Sequence, residues 1–302
     1  KGQARQQTGE FQISVEERHK VRGEHRHQPD IARFAEAVGR VSANEPGEQG
    51  RPECEIAEPQ NAAEAIELEK RQCQRHIREP DGELVGHLMA TRPDVVWSTL
   101  HGAVGEDGSL QNLLQLAGIA FVGSGSAGAR LAWDKPVAKV LVARQSIRTP
   151  ESIALPKSSF RELNAESVLA MVGTELGFPL VVKPAKGGSA QGCAKVSEPK
   201  SFAKAMVDAF AYCDQVMIER FVVGTELAVS VIDLGDGPLA LPAVEIVPDS
   251  GEFGYNERYT PGQTNYYVPA RLDDEILIEA ARIAIAVHTS LGLTQLSRVD
   301  LI

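Results

Sequence analysis

No apolar run in this 302-residue chain approaches the roughly 18 residues of a membrane-spanning helix, so no membrane partner is expected. The N-terminus is polar and lacks an apolar h-region, which argues against a secretory signal and for a cytoplasmic setting. Cysteine is sparse. Cys54, Cys73, Cys193 and Cys213 form no C-x-x-C pair and no Cys/His metal spacing, so reduced thiols are expected. Positive charge is in deficit too: 31 Lys and Arg stand against 41 Asp and Glu, and the formal charge of −10 argues against a nucleic-acid partner. Hydrophobic residues at 43% and charged residues at 24% are ordinary for a globular chain, and the length suffices for two or three packed lobes.

The first 80 residues are poor in aliphatics. Only 12 of them are Val, Ile, Leu or Phe, a range in which a chain struggles to bury a core. Residues 1–80 therefore read as an atypical polar segment. Helices are predicted over 30–38, with Asp30 as N-cap and Ile31, Phe34, Ala35 and Val38 on one side, and over 61–77. Residues 44–59 read as a loop. Four of the seven histidines lie in this segment, lack a ligand pattern, and read as solvated. The chain opens on Lys1 rather than Met, which points to a fragment.

The informative stretch is Phe178 to Gly192. Leu180, Val181 and Val182 form a short apolar run, rich in β-branched residues, that predicts a buried strand. Lys183 follows, too costly to bury unless it meets an anion. Gly187, Gly188 and Gly192 then fall within six residues. Glycines let backbone N–H groups approach a ligand closely, as phosphate-cradling loops require. The stretch fits neither the P-loop spacing nor a G-x-G-x-x-G that opens a helix. Two readings stand: a phosphate cradle, or a surface hairpin with an exposed lysine. Val216 to Ile232 reads as strand, turn, strand, with Glu219 and Glu226 flanking the turn, where a carboxylate could accept from ribose hydroxyls.

Together these two elements resemble the ATP-grasp superfamily, whose members hold ATP between two α+β lobes. The match narrows from about residue 81 to the end. His101-Gly-Ala-Val-Gly-Glu106-Asp107-Gly108, Phe121-Val-Gly-Ser-Gly125, Trp133-Asp-Lys135-Pro-Val-Ala-Lys139, Glu245-Ile-Val-Pro, Glu257-Arg-Tyr259-Thr and Ser297-Arg298-Val-Asp300 occur in the order of the D-alanine–D-alanine ligase motifs. Over roughly 220 residues the chain resembles that family. The implied fold is α/β and α+β: an ATP-grasp fold of two lobes clasping ATP, preceded by an incomplete or atypical N-terminal parallel β/α lobe. The expected lobes are 81–123 for the rest of the N-terminal substrate lobe, 124–218 for the central lobe and 219–302 for the C-terminal lobe.

The resemblance implies a ligase that joins two D-alanines through an acyl phosphate for peptidoglycan precursor synthesis, working as a homodimer. It places ATP at Lys135, Lys183, Gly187, Gly188, Ser189, Ala190, Glu219, Arg220, Val222 and Glu226. It places substrate at His101, Tyr259 and Arg298, with Ser189, Tyr259 and Arg298 catalytic. Asp300 is the implied Mg²⁺ (or Mn²⁺) ligand. Tyr259 accompanies dipeptide-forming members of the family, and Arg258 stands where they carry a lysine. The family's opening motif finds its only echo in Ile13 to Val21, without a preceding strand or glycine pair. Neither Glu16 nor Glu17 is therefore assigned its ammonium-binding role. Two further metal ligands, in L-E-x-N-x-x-P-G beyond R-x-D, are not in the chain, so little or no ligase activity is expected of it as it stands. A non-catalytic nucleotide-binding remnant and an ATP-grasp ligase for another acid and amine are the competing readings.

Along the rest of the chain, 84–88 predicts a short helix and Asp94–Leu100 a strand. Gly105–Gly108 predicts a turn, with Ser109 capping a helix that turns Leu110, Leu113, Leu114 and Leu116 to one side and ends at Gly118. Further helices are predicted over 127–146, 168–176, 201–211 and 273–290, the last burying Ile276, Ala280, Ile283, Ala284 and Val287. Strands are predicted at 119–122, 244–248 and 296–302. Residues 249–262 predict a long polar lid loop.

Overall fold

The computed structural model describes residues 77–78, 80–251 and 253–302. The predicted 30–38 helix, the 44–59 loop, Glu16, Glu17, Cys54 and Cys73 lie outside the described residues, as does the 61–77 helix save its last residue. No helix among the described residues is long and apolar enough to cross a membrane.

The described chain opens with helix α1 (Leu84–Thr91), strand β1 (Val96–Trp97), the single-turn helix α2 (Ala103–Glu106), helix α3 (Ser109–Ala117) and strand β2 (Phe121–Val122). β1 and β2 pair in parallel, Val96 opposite Phe121. Leu110, Leu114 and Ile119 form the small core beneath them. Three expectations fail here. The strand predicted from Asp94 shrinks to two residues, because β2 offers only two partners. The turn at 105–108 is replaced by α2. Ser109 does not cap α3: its amide donates to Asp107 Oδ1 at 2.7 Å, and Gly108 takes the cap with φ 86°. Leu110 and Leu114, four apart, face inward, while Leu113 and Leu116 lie 47% and 85% exposed.

Helices α4 (Ser126–Trp133) and α5 (Lys135–Ala143) replace the single helix predicted over 127–146. Asp134 breaks them apart with an extended backbone. Its carboxylate then caps α5 by accepting from Val137 N, and Pro136 sits in the first turn, where no N–H is missed.

Two sheets follow. The first is antiparallel, in the order β3 (Ser152–Pro156), β6 (Gln215–Arg220), β4 (Leu180–Pro184), β5 (Ala194–Val196). After the short helix α6 (Lys157–Glu162), helices α7 (Ala165–Leu176) and α8 (Phe202–Phe210) cover one face. Alternation along β4 turns Leu180 and Val182 into that core and Lys183 to the opposite face. Asn164 caps α7 and Gly177 ends it, while Val168, Val172 and Leu176 bury one stripe. Phe202 is 2% exposed and meets Phe178 edge-on at 6.0 Å.

The second sheet runs β10 (Thr264–Tyr267), β9 (Val244–Pro248), β7 (Glu226–Ile232), β11 (Leu296–Leu301), with β8 (Leu239–Ala240) also on β7. Helix α10 (Asp274–Ser290) packs Leu277, Ala280 and Ala284 on Leu227, Val229 and Val299. Ile276, predicted inward, is 49% exposed because Leu277 takes the core position. β6 and β7 do not form a hairpin. They belong to different sheets, so residues 221–225 cross from one lobe to the next. The predicted 249–262 loop contains helix α9 (Tyr255–Tyr259), whose start is fixed by Gly254 N donating to Glu257 Oε2 at 3.0 Å.

Phe202→Ala should remove the centre of the first lobe's core. The expected loss is about 3–5 kcal/mol, the range for a buried phenylalanine, read as a lowered denaturant midpoint with unchanged slope.

Candidate active site

The faces of the two sheets not covered by helices carry the polar residues. On the first sheet Val181 lies opposite Glu219 and Lys183 opposite Met217, so Lys183 and Glu219 are diagonal neighbours on one face. Lys183 Nζ donates to Glu219 Oε1. Lys139, one turn into α5, donates to Glu219 Oε2 at 2.9 Å and to the Pro150 carbonyl at 2.6 Å. Glu219 is only 7% exposed. Burial pushes its carboxyl up, but the charge and hydrogen bond of Lys183, then those of Lys139, outweigh this and hold it below its ordinary value.

Lys135 lies one helical turn before Lys139 and faces the same region. Its ammonium donates to the carbonyls of Gly187 at 2.7 Å and Pro184 at 3.2 Å, and its amide donates to Ala185 O at 3.0 Å. Lys186 meets Asp134 at 3.3 Å. The joint between α4 and α5 thus grips the stem of the glycine loop. Burial, then the charge of Lys183, lowers Lys135 to a pKa of about 8.

The loop itself bends through left-handed backbone at Ser189 (φ 54°) and Ala190 (φ 55°). No acceptor among the described residues takes the amides of Gly188, Ser189 or Ala190. Gly188 packs closely on Glu106: a Cβ there would stand 3.0 Å from Glu106 Oε2, so a larger residue would push the end of that side chain aside. Ser189 Oγ lies 2.5 Å from the Tyr259 hydroxyl, which joins the loop to α9. Arg258 stacks on Phe253 at 4.1 Å, and its buried Nε has no hydrogen-bond partner among the described residues.

On the second sheet Arg298 and Asp300 share the open face, opposite Ser230 and Ala228. Arg298 donates to both Asp300 oxygens, at 2.8 and 3.1 Å. Among the described residues no three His, Cys, Asp or Glu side chains gather as a metal would need. With its carboxylate taken up by Arg298, Asp300 does not make a divalent-cation site as it stands. Glu226 is raised by burial and lies within electrostatic reach of Arg258 and Asp300. His101 is exposed, its Nδ1 4.0 Å from Glu106 Oε1. The Arg220 guanidinium turns away to Glu151, and Val222 lies in the crossing between lobes, 37% exposed.

Two residues were missed by the sequence reading. Lys139 stands in the sequence only as the end of the motif that begins at Trp133, yet it completes the Glu219 cluster. Glu106 accepts from Gly102 N at 2.7 Å, abuts Gly188 and acts electrostatically on Arg298. Its signal was present, in the motif that begins at His101.

The model of the D-ala D-ala ligase C-terminus matches residues 141–302, and that of the N-terminus residues 7–124. The chain is 34% identical over 225 residues to a D-alanine–D-alanine ligase of Bordetella petrii, covering 74% of this chain and 67% of that protein. It is 36% identical over 209 residues to one from Halalkalibacterium halodurans, covering 69% and 66%. The chain belongs to the D-alanine–D-alanine ligase family. Its fold is ATP-grasp. The VanG D-Ala:D-Ser ligase from Enterococcus faecalis superposes with a TM-score of 0.60 at 34% identity, over 68% of this chain and 59% of that one. The Bacillus anthracis D-alanine–D-alanine ligase complexed with ATP gives a TM-score of 0.58 at 27% identity, over 73% and 66%. The chain spans about two thirds of the length of the curated relatives it matches. The N-terminal match starts at residue 7, so the family likeness reaches further back than residue 81, where the motifs begin.

The buried Lys135 ammonium makes a pH prediction. Its pKa in the folded protein, about 8, lies below the ordinary 10.5, so the unfolded chain holds the proton longer. Between pH 8 and 10.5 unfolding takes up a proton, and stability rises with pH. The cost of the buried charge is fully present below pH 8 and gone by 10.5. Relative to Lys135→Met, the wild-type protein should gain stability across that window in denaturant melts; parallel curves would remove the buried charge.

Proposed function

We propose that this chain is the ATP-binding and ligating part of an enzyme that joins two D-alanines into D-alanyl-D-alanine for peptidoglycan precursor synthesis. The observation that carries the proposal is the surplus of cations around the glycine loop. Lys135, Lys139 and Lys183 gather about one carboxylate, Glu219, whose two oxygens Lys183 and Lys139 already hold. Among the described residues, Arg258 keeps an unpartnered Nε, and the nearby loop amides of Gly188, Ser189 and Ala190 have no acceptor. A triphosphate would supply the missing anion. In this reading the lobes 124–218 and 219–302 clasp the nucleotide, with the crossing at 221–225 as their join. Lys183, Lys135 and the amides of Gly187, Gly188, Ser189 and Ala190 hold the phosphates. The crossing segment from Arg220 to Val222 offers its backbone to the base, and Glu226 accepts from the ribose.

The reaction asks the protein mainly to position groups and to stabilise charge. One D-alanine carboxylate attacks the γ-phosphate, ADP leaves, and the amine of the second D-alanine attacks the acyl phosphate and expels phosphate. Arg298 stabilises charge that develops on the reacting oxygens. Its own pKa is raised: Asp300, its hydrogen bond and Glu106 outweigh the opposing burial, so it stays charged throughout. Tyr259, held by Ser189, closes the substrate side without adding a cation, and His101 beside Glu106 lines that side.

Lys183→Ala should weaken nucleotide binding by about 1.5–3 kcal/mol, the scale of a charge-assisted hydrogen bond, measured by calorimetry. Unchanged affinity would take Lys183 out of the site.

Specificity is tested by turnover of a version with both termini restored to the length of the family, with equal D-alanine, D-serine and D-lactate, read by product mass. D-Alanyl-D-alanine should dominate at pH 7. A predominant ester, or a predominant serine product, would sink the assignment of the second substrate.

A further inference from the structure

Residues 123–128, Gly-Ser-Gly-Ser-Ala-Gly, have the G-x-G-x-x-G spacing, follow β2 and open α4. That spacing ordinarily offers amides to a phosphate. Here protein side chains take two of them. Gly123 N donates to Gln295 Oε1 at 2.9 Å, and Ser126 N donates to Gln115 Oε1 at 3.1 Å. Ser124 Oγ donates to the Thr294 carbonyl and accepts from Thr294 N, both at 3.1 Å. Gly128 lies so close to the same turn that a Cβ would stand 2.6 Å from the Gly292 carbonyl oxygen.

Gln295 adopts φ 59°, in the left-handed region that glycine occupies without strain. A glutamine there incurs a local cost and gains a side chain that reaches Gly123. Its own carbonyl accepts from Asp233 N at 2.7 Å, beyond the end of β7. One residue thus ties three elements: the β2–α4 turn, the end of β7 and the start of β11. Arg298 stands three residues further along the chain, and Glu106 and His101 belong to the elements before β2.

We propose that Gln295 is a positioning residue, whose side-chain oxygen clamps the 81–125 segment to β11 and so fixes Arg298 relative to His101 and Glu106. The second half of this statement rests on the ligase reading; the clamp itself does not. Gln295→Met keeps the length and removes the acceptor. Gln295→Glu keeps an acceptor oxygen.

Hydrogen exchange decides the clamp. Amides of 123–126 and 294–296 should exchange at least tenfold faster in Gln295→Met, return to the wild-type rate in Gln295→Glu, and leave β4 and β6 unchanged. Wild-type exchange in Gln295→Met would overturn it, as would loss of protection throughout the protein in both variants.

Turnover decides the positioning. In the version with both termini restored, ADP release with D-alanine should fall about tenfold in kcat in Gln295→Met, at unchanged KM for ATP, and recover in Gln295→Glu. Equal kcat in all three, or a KM that rises in step with the loss, would overturn the positioning role. If the wild-type chain binds no nucleotide, the ligase reading fails, and the exchange experiment still decides the clamp.

Discussion

The site depends on one buried carboxylate held between two ammonium groups. Glu219 can stay ionised at low exposure only because Lys139 and Lys183 each take one of its oxygens. Removing either lysine would leave a buried charge half-compensated, which is more costly than never having had the pair. The pair also sets geometry. It locks a helix residue, Lys139, to two strands of the first sheet, and it fixes Lys183 at the stem of the glycine loop. Once Glu219 is satisfied in this way, it has nothing left for Lys135. That third ammonium leans on backbone carbonyls, and burial, then the charge of Lys183, lowers its pKa.

The contact between the loop and the second lobe is of a different kind. Ser189 and Tyr259 meet through a single exposed hydrogen bond. Such a bond contributes about 0.5–1.5 kcal/mol net, so making or breaking it shifts a population only several-fold. A strong ionic cluster thus fixes the floor of the site, while a weak neutral contact closes its edge. This division suits a lid that must admit substrates and release products between cycles. The tight Glu245–Arg271 pair lies away from that edge, with Arg271 stacked 3.4 Å over Tyr267, and braces β9 against the segment after β10.

Much of this was legible in the sequence. The apolar run Leu180–Val182, the glycine spacing of 187–192 and the order of the ligase motifs located the first sheet, the loop and the family. The resemblance singled out Ser189 and Tyr259, which the structure joins by a hydrogen bond. What could not be read was anything decided by partners distant in sequence. No local signal says that β6 and β7 lie in different sheets, since a turn and a crossing between lobes have the same composition. Nor does Glu219 announce that its partners include a lysine 80 residues earlier. The break at Asp134 falls inside the single helix predicted over 127–146, where Asp134 caps and Pro136 opens a second helix. Leu113 and Leu116 were misplaced for want of an exact period: α3 is only nine residues long, and its buried stripe is narrow.

Two glycine-rich loops in this chain show why spacing alone does not assign a phosphate site. Residues 123–128 have the more familiar pattern, and they open a helix. Yet Gln295 and Gln115 hold two of their amides, and Ser124 is spent on Thr294. Residues 187–192 match no familiar spacing and open no helix, yet the amides of Gly188, Ser189 and Ala190 are untaken among the described residues. An anion needs donors that the protein has not already satisfied, next to charge that the protein has not already neutralised. The first loop has two amides and a serine hydroxyl committed to neighbouring segments and, among the described residues, no lysine hydrogen-bonded to it. The second has lysines on its stem and a carboxylate, Glu219, that is already fully engaged. In the proposed reading the difference between a loop that binds and a loop that braces lies in the residues that reach them, Lys135 and Lys183 for the one and Gln295 for the other.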